Sequence, residues 1–129
     1  VGYGADKAWG WTASYSINGY DAHHPDNDKS VVTPTAALAS MPYTPKESIA
    51  FAKYLFNNLG DKVWGKYGFY DAFSETNNWY PQRYLAIDQG PIVVMIENYR
   101  TGLIWDLFMN APEVRIGLRK LGFKSPHLK

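Results

Sequence analysis

The chain contains no cysteine, so neither a disulfide nor a thiolate metal site can hold it together, and its redox compartment is left open. Charge of one sign is also lacking. The formal net charge is +1 and no stripe of Lys or Arg occurs, which removes the footprint of a nucleic-acid binder and suits a neutral polymer better than an anionic one. No apolar run approaches the roughly 18 residues of a membrane span, and Val1 is followed by neither a charged nor an apolar leader region. An export signal, for an exported protein, is expected outside this chain. Several enzyme signatures are missing too. His23 and His24 are adjacent and His127 is in the tail, so none has the i, i+4 partner of a helical zinc site. The Asp26, Asn27, Asp28 run lacks the glycine and terminal glutamate of a calcium loop. Gly2 and Gly4 have no third glycine at dinucleotide spacing, and no Gly-x-Ser-x-Gly elbow is present. Any chemistry is therefore expected to need no metal and no cofactor.

What the chain has in excess is rings. Its 129 residues suffice for one domain with its own core. Hydrophobic residues make up 46% and charged residues 19%, a globular balance. The aromatic share of 16% comprises 5 Trp, 10 Tyr and 6 Phe. Cores use many rings, but Tyr and Trp carry polar tips that favour partly wet surfaces, so a ligand cleft or an interface is expected.

The first third reads as a long irregular arm, punctuated by Gly10, Asn18, Gly19, Pro25 and Asn27 and carrying Trp9, Trp11, Tyr15 and Tyr20. Such loops usually bind something. Helical signals begin at Thr33, a plausible N-cap followed by Pro34, in an Ala-rich segment that ends before Pro42. Thr44, Pro45 and Glu47 then read as a capping box. Ile49, Ala52, Phe56 and Leu59 recur at helical spacing, Gly60 suits a C-terminus, and a short turn is expected over residues 61–64. Asp88 can cap a helix entered through Pro91, and residues 92–96 are apolar on every side, as in a helix buried within a larger assembly. Gly102 is expected to interrupt it before an apolar segment over residues 103–109. A last helix would be capped by Asn110 with Glu113 and end at Gly122. The class predicted is all-α, with short strands possible in the arm.

Residues 67–100 crowd rings, the isolated carboxylates Asp71 and Asp88, and a Glu97, Asn98, Tyr99, Arg100 cluster around one helix start. Sugars offer one flat face and many hydroxyls, so their sites combine ring faces with planar donors and acceptors. On spacing alone, Asp88 reads first as an N-cap and Asp71 equally as a turn residue or as a holder of a sugar hydroxyl. Glu97 and Arg100, three apart on one helix, read as a buried structural ion pair rather than as substrate contacts.

The motifs YGFYDA (67–72), IDQGP (87–91) and IENYRTGL (96–103), with PTAAL (34–38) and Gly65 upstream, resemble the C-terminal part of the bacterial glucoamylase-like domain family. That family includes the endo-β-1,2-glucanases of glycoside hydrolase family 144. The resemblance spans residues 9–123 and implies a portion of an (α/α)6 toroid, residues 1–129 being its C-terminal part and the partner N-terminal helical hairpins lying elsewhere. It implies a cofactor-independent glycoside hydrolase, periplasmic or secreted, acting on a β-glucan oligosaccharide or polysaccharide with inversion. It also makes Asp88 a candidate catalytic carboxylate, whose ionised form a helix start would favour, with an acid partner on an N-terminal hairpin. Thr12, Ala13 and Ser14 match a loop that borders the family's cleft, while residues 15–25 look individual to this chain. The substrate-binding candidates are Trp11, Thr12, Ser14, Asp71, Trp79 and Tyr99, with Trp11 and Trp79 as stacking platforms. Two other classes fit the same residues: a glycan-binding unit without catalysis, and a structural helical fragment that touches no sugar.

Overall fold

The structure, a computed structural model, describes residues 7–129; Gly2 and Gly4 lie outside the described residues. The elements run β1 (Ser14–Ser16), β2 (Gly19–Asp21), a 3-10 turn (Pro25–Asn27), α1 (Pro34–Leu38), α2 (Pro45–Val63), β3 (Trp64–Gly65), β4 (Gly68–Phe69), α3 (Ala86–Thr101), α4 (Leu103–Asn110) and α5 (Pro112–Lys120). The all-α expectation is met only in its coarser form. Helices dominate, but β1 pairs antiparallel with β2 in the arm, with Tyr15 opposite Tyr20, and β3 with β4 directly after α2.

The core forms where α2 lies against the loops that carry the aromatic segment. Phe51, Leu55, Leu59 and Val63 recur every four residues along α2 and pack with Val32, Ala37, Leu38, Phe69 and Phe73, while Trp9, Tyr80 and Ile92 close the edges. Burying each such side chain stabilises the fold by about 1.5–3 kcal/mol. Of the expected face of Ile49, Ala52, Phe56 and Leu59, Leu59 lies in this core and Ala52 packs partly buried against it, while Ile49 and Phe56 are exposed. Two apolar rows run along α2, and packing selects the one that leaves Phe56 exposed.

Boundaries shift for similar reasons. α2 continues past Gly60 to Val63, so no turn occupies residues 61–64; the reversal is made by the β3–β4 hairpin. Gly65 suits that hairpin because any side chain there would collide with the Tyr70 and Tyr84 hydroxyls. Thr33 and Thr44 precede α1 and α2 as expected, yet neither makes a side-chain cap. Thr44 instead shares a hydrogen bond with Ser48, at 3.1 Å. Asn110 does not cap α5; it ends α4, and its amide donates to the carbonyls of Asp106 and His127.

Gly102 does separate two helices, at φ 72° in the left-handed region that only glycine enters without strain. Asn98 spans the break, its Oδ1 accepting the Trp105 N–H at 3.0 Å and so satisfying an open donor in the first turn of α4. Among the described residues, Val93 (70% exposed), Leu103, Leu107, Phe108, Leu121 and Phe123 leave apolar side chains exposed along the last helices and the tail. Among the described residues, no helix is long and apolar enough to cross a membrane.

Candidate functional site

The arm and two helix starts meet at a groove of about 500 Å³, lined by Trp11, Thr12 and Tyr20 from the arm, Thr35 and Ala36 from α1, and Ile87, Asp88 and Pro91 from α3, among others. Each wall follows from local chemistry. Pro34 starts α1 where no amide donor is needed, and in that first turn the Thr35 hydroxyl donates to the Asp88 carbonyl oxygen at 2.7 Å. Gln89 reaches the other way, its side-chain amide donating to the Phe69 carbonyl at 2.9 Å. The first turn of α3 is thereby tied to α1 on one side and to β4 on the other.

Asp88 is not the cap that the sequence suggests. Leu85 occupies that position, α3 begins at Ala86, and Pro91 sits inside the helix. The Asp88 carboxyl accepts no cap bond and is 5% exposed, with its Oδ2 buried and facing no donor. Burial pushes its pKa up to about 7, helped by a hydrogen bond to Asp71 and by the Asp71 charge. The helix start, expected to favour the ionised form and worth about 0.3–1 kcal/mol in that direction, does not offset this rise. Desolvation is the larger effect.

Asp71 lies behind Asp88, 1% exposed. Its Oδ2 accepts the Tyr15 N–H at 2.7 Å, its own N–H donates to the Arg83 carbonyl at 2.9 Å, and its Oδ1 is buried without a donor. The sequence showed both carboxylates, but nothing in a separation of seventeen residues signals that they touch.

Around this pair the arm forms a polar knot. His23 Nδ1 faces the Thr12 carbonyl at 3.1 Å, its Nε2 faces the Ser16 hydroxyl at 3.0 Å, and the Ser14 hydroxyl donates to the Tyr15 carbonyl at 2.9 Å. Ser14 is therefore fully buried in the hairpin and does not line the groove. Trp79 stacks on Tyr15 with centroids 6.2 Å apart and planes within 7°, while the Arg83 guanidinium lies 4.6 Å from the Tyr15 ring centre. Trp79 thus braces the hairpin instead of lining the groove opposite Trp11. Tyr99 is 47% exposed, further along α3 and outside the groove lining. Glu97 and Arg100 do pair, at 3.3 Å, but on the surface rather than buried as expected. The buried member of that motif is Asn98, whose side-chain oxygen accepts the Trp105 N–H of α4.

Trp11, Thr12 and Asp88 are hence brought together, with Asp71 directly behind, whereas Ser14, Trp79 and Tyr99 are placed elsewhere. Sequence reasoning missed Thr35 and Ile87 as lining residues, although both fall inside motifs already singled out, and it named Tyr20 only as part of the arm. Among the described residues, no three His, Asp or Glu side chains converge as a metal site requires.

The chain is similar to an endo-β-1,2-glucanase from Chitinophaga pinensis solved with sophorotriose and glucose, at 63% identity and a TM-score of 0.89, over 95% of this chain and 30% of that one. It is 46% identical over 123 residues to the exo β-1,2-glucooligosaccharide sophorohydrolase of Parabacteroides distasonis, covering 94% of this chain and 17% of that protein. A solved β-1,2-glucanase from the same organism matches at 44% identity and a TM-score of 0.86, over 90% of this chain and 17% of the other. This chain spans less than a third of the length of each of these relatives. Residues 1–112 match the model of the glucoamylase family described as "Putative glucoamylase", and the chain belongs to that family.

Proposed function

We propose that this chain is the C-terminal part of an (α/α)6 toroid whose intact form is a glycoside hydrolase of β-1,2-glucan, acting by cofactor-independent acid/base chemistry. The observation that carries the reading is Asp88: a buried carboxyl opening on a groove walled by Trp11 and Tyr20, with its pKa raised to about 7. A base whose pKa lies near neutral pH is the most effective kind, because a substantial fraction of it is ionised there and it still binds a proton well. Water attacks the anomeric carbon and gives its proton to Asp88, while the glycosidic bond breaks and the departing oxygen takes a proton from an acid on the N-terminal hairpins. Inversion requires the two carboxyls about 6.5–9.5 Å apart. Similarity to the endo-acting Chitinophaga enzyme at 63% identity, against 46% to the exo-acting Parabacteroides enzyme, favours endo cleavage. A periplasmic or secreted location belongs to the same reading.

The test is turnover by the full-length protein on β-1,2-glucan and on an α-linked glucan. Cleavage of the first alone is expected. Asp88→Asn should fold and bind substrate while turnover falls about 10²-fold or more, the usual scale for an acid/base group. Binding without cleavage by the unaltered protein would leave recognition alone as its role.

A further inference from the structure

Two carboxyl groups out of water, each with one oxygen that no donor reaches, are both ionised only at the cost of bringing two like charges into contact. Asp71 Oδ1 and Asp88 Oδ2 are in that position, and the two side chains are within hydrogen-bond reach of each other. A single proton between them satisfies both orphan oxygens. Contact also settles what Asp71 is not. A carboxyl touching Asp88 leaves no room for water or a sugar ring between them, so Asp71 is neither the acid of an inverting pair nor the near member of a retaining pair, which stand about 6.5–9.5 Å and 5–5.5 Å from their partners.

We propose that Asp71 is the positioning residue of Asp88: the two share one proton, and the arm hairpin β1–β2 decides that Asp88 is the member that binds and releases it, by donating the Tyr15 N–H to Asp71 Oδ2. A carboxyl oxygen that accepts a backbone amide is already engaged as an acceptor, which leaves the proton to the partner that has no amide. Asp71 has that amide at 2.7 Å, and Asp88 has no equivalent donor. The hairpin keeps the amide in place through the ring of His23, which engages the Thr12 carbonyl and the Ser16 hydroxyl on either side of residue 15, and through the Trp79 and Arg83 contacts to the Tyr15 ring. Among the described residues, no cation competes for the pair. Arg83 is turned to Tyr15, Tyr20 lines the outer groove, Tyr70 and Tyr84 lie against each other beside β3, α1 has no titratable residue, and Glu97 and Arg100 pair further along α3. Of the described charged groups, Asp71 alone shifts Asp88.

This inference rests on Asp88 being the base, so its test has one arm that needs no glucan. In the full-length protein labelled with ¹³C at aspartate carboxyls, one carboxyl should titrate near neutral pH, vanish in Asp88→Asn, and move to lower pH by about one unit or more in Asp71→Asn. The side-chain amide introduced by Asp71→Asn would keep an acceptor for the Tyr15 N–H and offer Asp88 a permanent donor. In the second arm, the acidic limb of kcat/KM on β-1,2-gluco-oligosaccharide should move down by the same amount in Asp71→Asn, with a lower plateau because the base is weaker. A merely structural Asp71 would lower activity at every pH and leave the limb in place, which overturns the proposal. Absence of a near-neutral aspartate in the unaltered protein overturns it as well, even if Asp71→Asn fails to fold. A protein that shows the titration but leaves β-1,2-glucan intact would sink the hydrolase reading and spare the shared proton.

Discussion

The Thr35 hydroxyl on α1 donates to the backbone carbonyl of Asp88 on α3 at 2.7 Å, across fifty-three residues of chain. That bond is buried, and it fixes the height at which the Asp88 carboxyl enters the groove. Thr35→Val keeps the shape and removes the donor. It should cost about 0.5–1.5 kcal/mol of stability, the net worth of one such bond. In the full-length enzyme kcat should fall more than KM rises, because a displaced base affects the reacting geometry before it affects sugar binding. Equal effects on both parameters would mean that α3 is held by packing alone.

Stability should decline as pH rises toward neutrality. Asp88 titrates at about 7 folded, against an ordinary value of 3.8, so the folded state binds this proton more tightly than the unfolded chain does. Its contribution is complete below about 3.8, shrinks as pH rises, and is lost once pH passes about 7. The size is on the order of a few kcal/mol. Melting curves of the full-length protein and of Asp88→Asn between these limits check it, since the variant should lose this dependence. An unchanged slope in the variant would place the pH dependence elsewhere.

Trp11 and Trp79 should separate cleanly. Trp11 lines the groove and Trp79 stacks on Tyr15 behind it. Trp11→Phe should abolish most of the tryptophan fluorescence change produced by β-1,2-gluco-oligosaccharides. Trp79→Phe should retain that change while lowering the melting temperature, because a stacked ring pair contributes about 0.5–1.5 kcal/mol beyond area burial. The reverse pattern would move the sugar to the far side of the hairpin.

Residues 7–129 expressed without further chain should associate. Val93, Leu103, Leu107 and Phe108 leave a broad apolar surface on α3 and α4, and contiguous exposed patches of this kind promote association. Light scattering and hydrophobic dye binding should both fall when Val93 and Leu107 are changed to Lys. A monomer that binds no dye before the change would show that these residues need no cover.

Much of this architecture was legible in the sequence because its signals are local. Pro34, Pro45 and Gly102 act on their own backbone, so α1, α2 and the α3–α4 break fall where the residues place them. Asp88, singled out within the motifs of residues 67–103, does line the groove. Other features depend on partners distant in sequence. Which apolar row of α2 is buried was decided by Val32 and Phe73 packing against it, since Phe51 and Phe56 are equally good core residues by composition. Ser14 turned inward because His23 stands there, and Trp79 left the groove because Tyr15 offers it a ring. The pairing of Asp71 with Asp88 is the clearest case. Each residue alone is an ordinary carboxylic acid, and only burial side by side, with one backbone amide allotted to Asp71, gives them a proton to share.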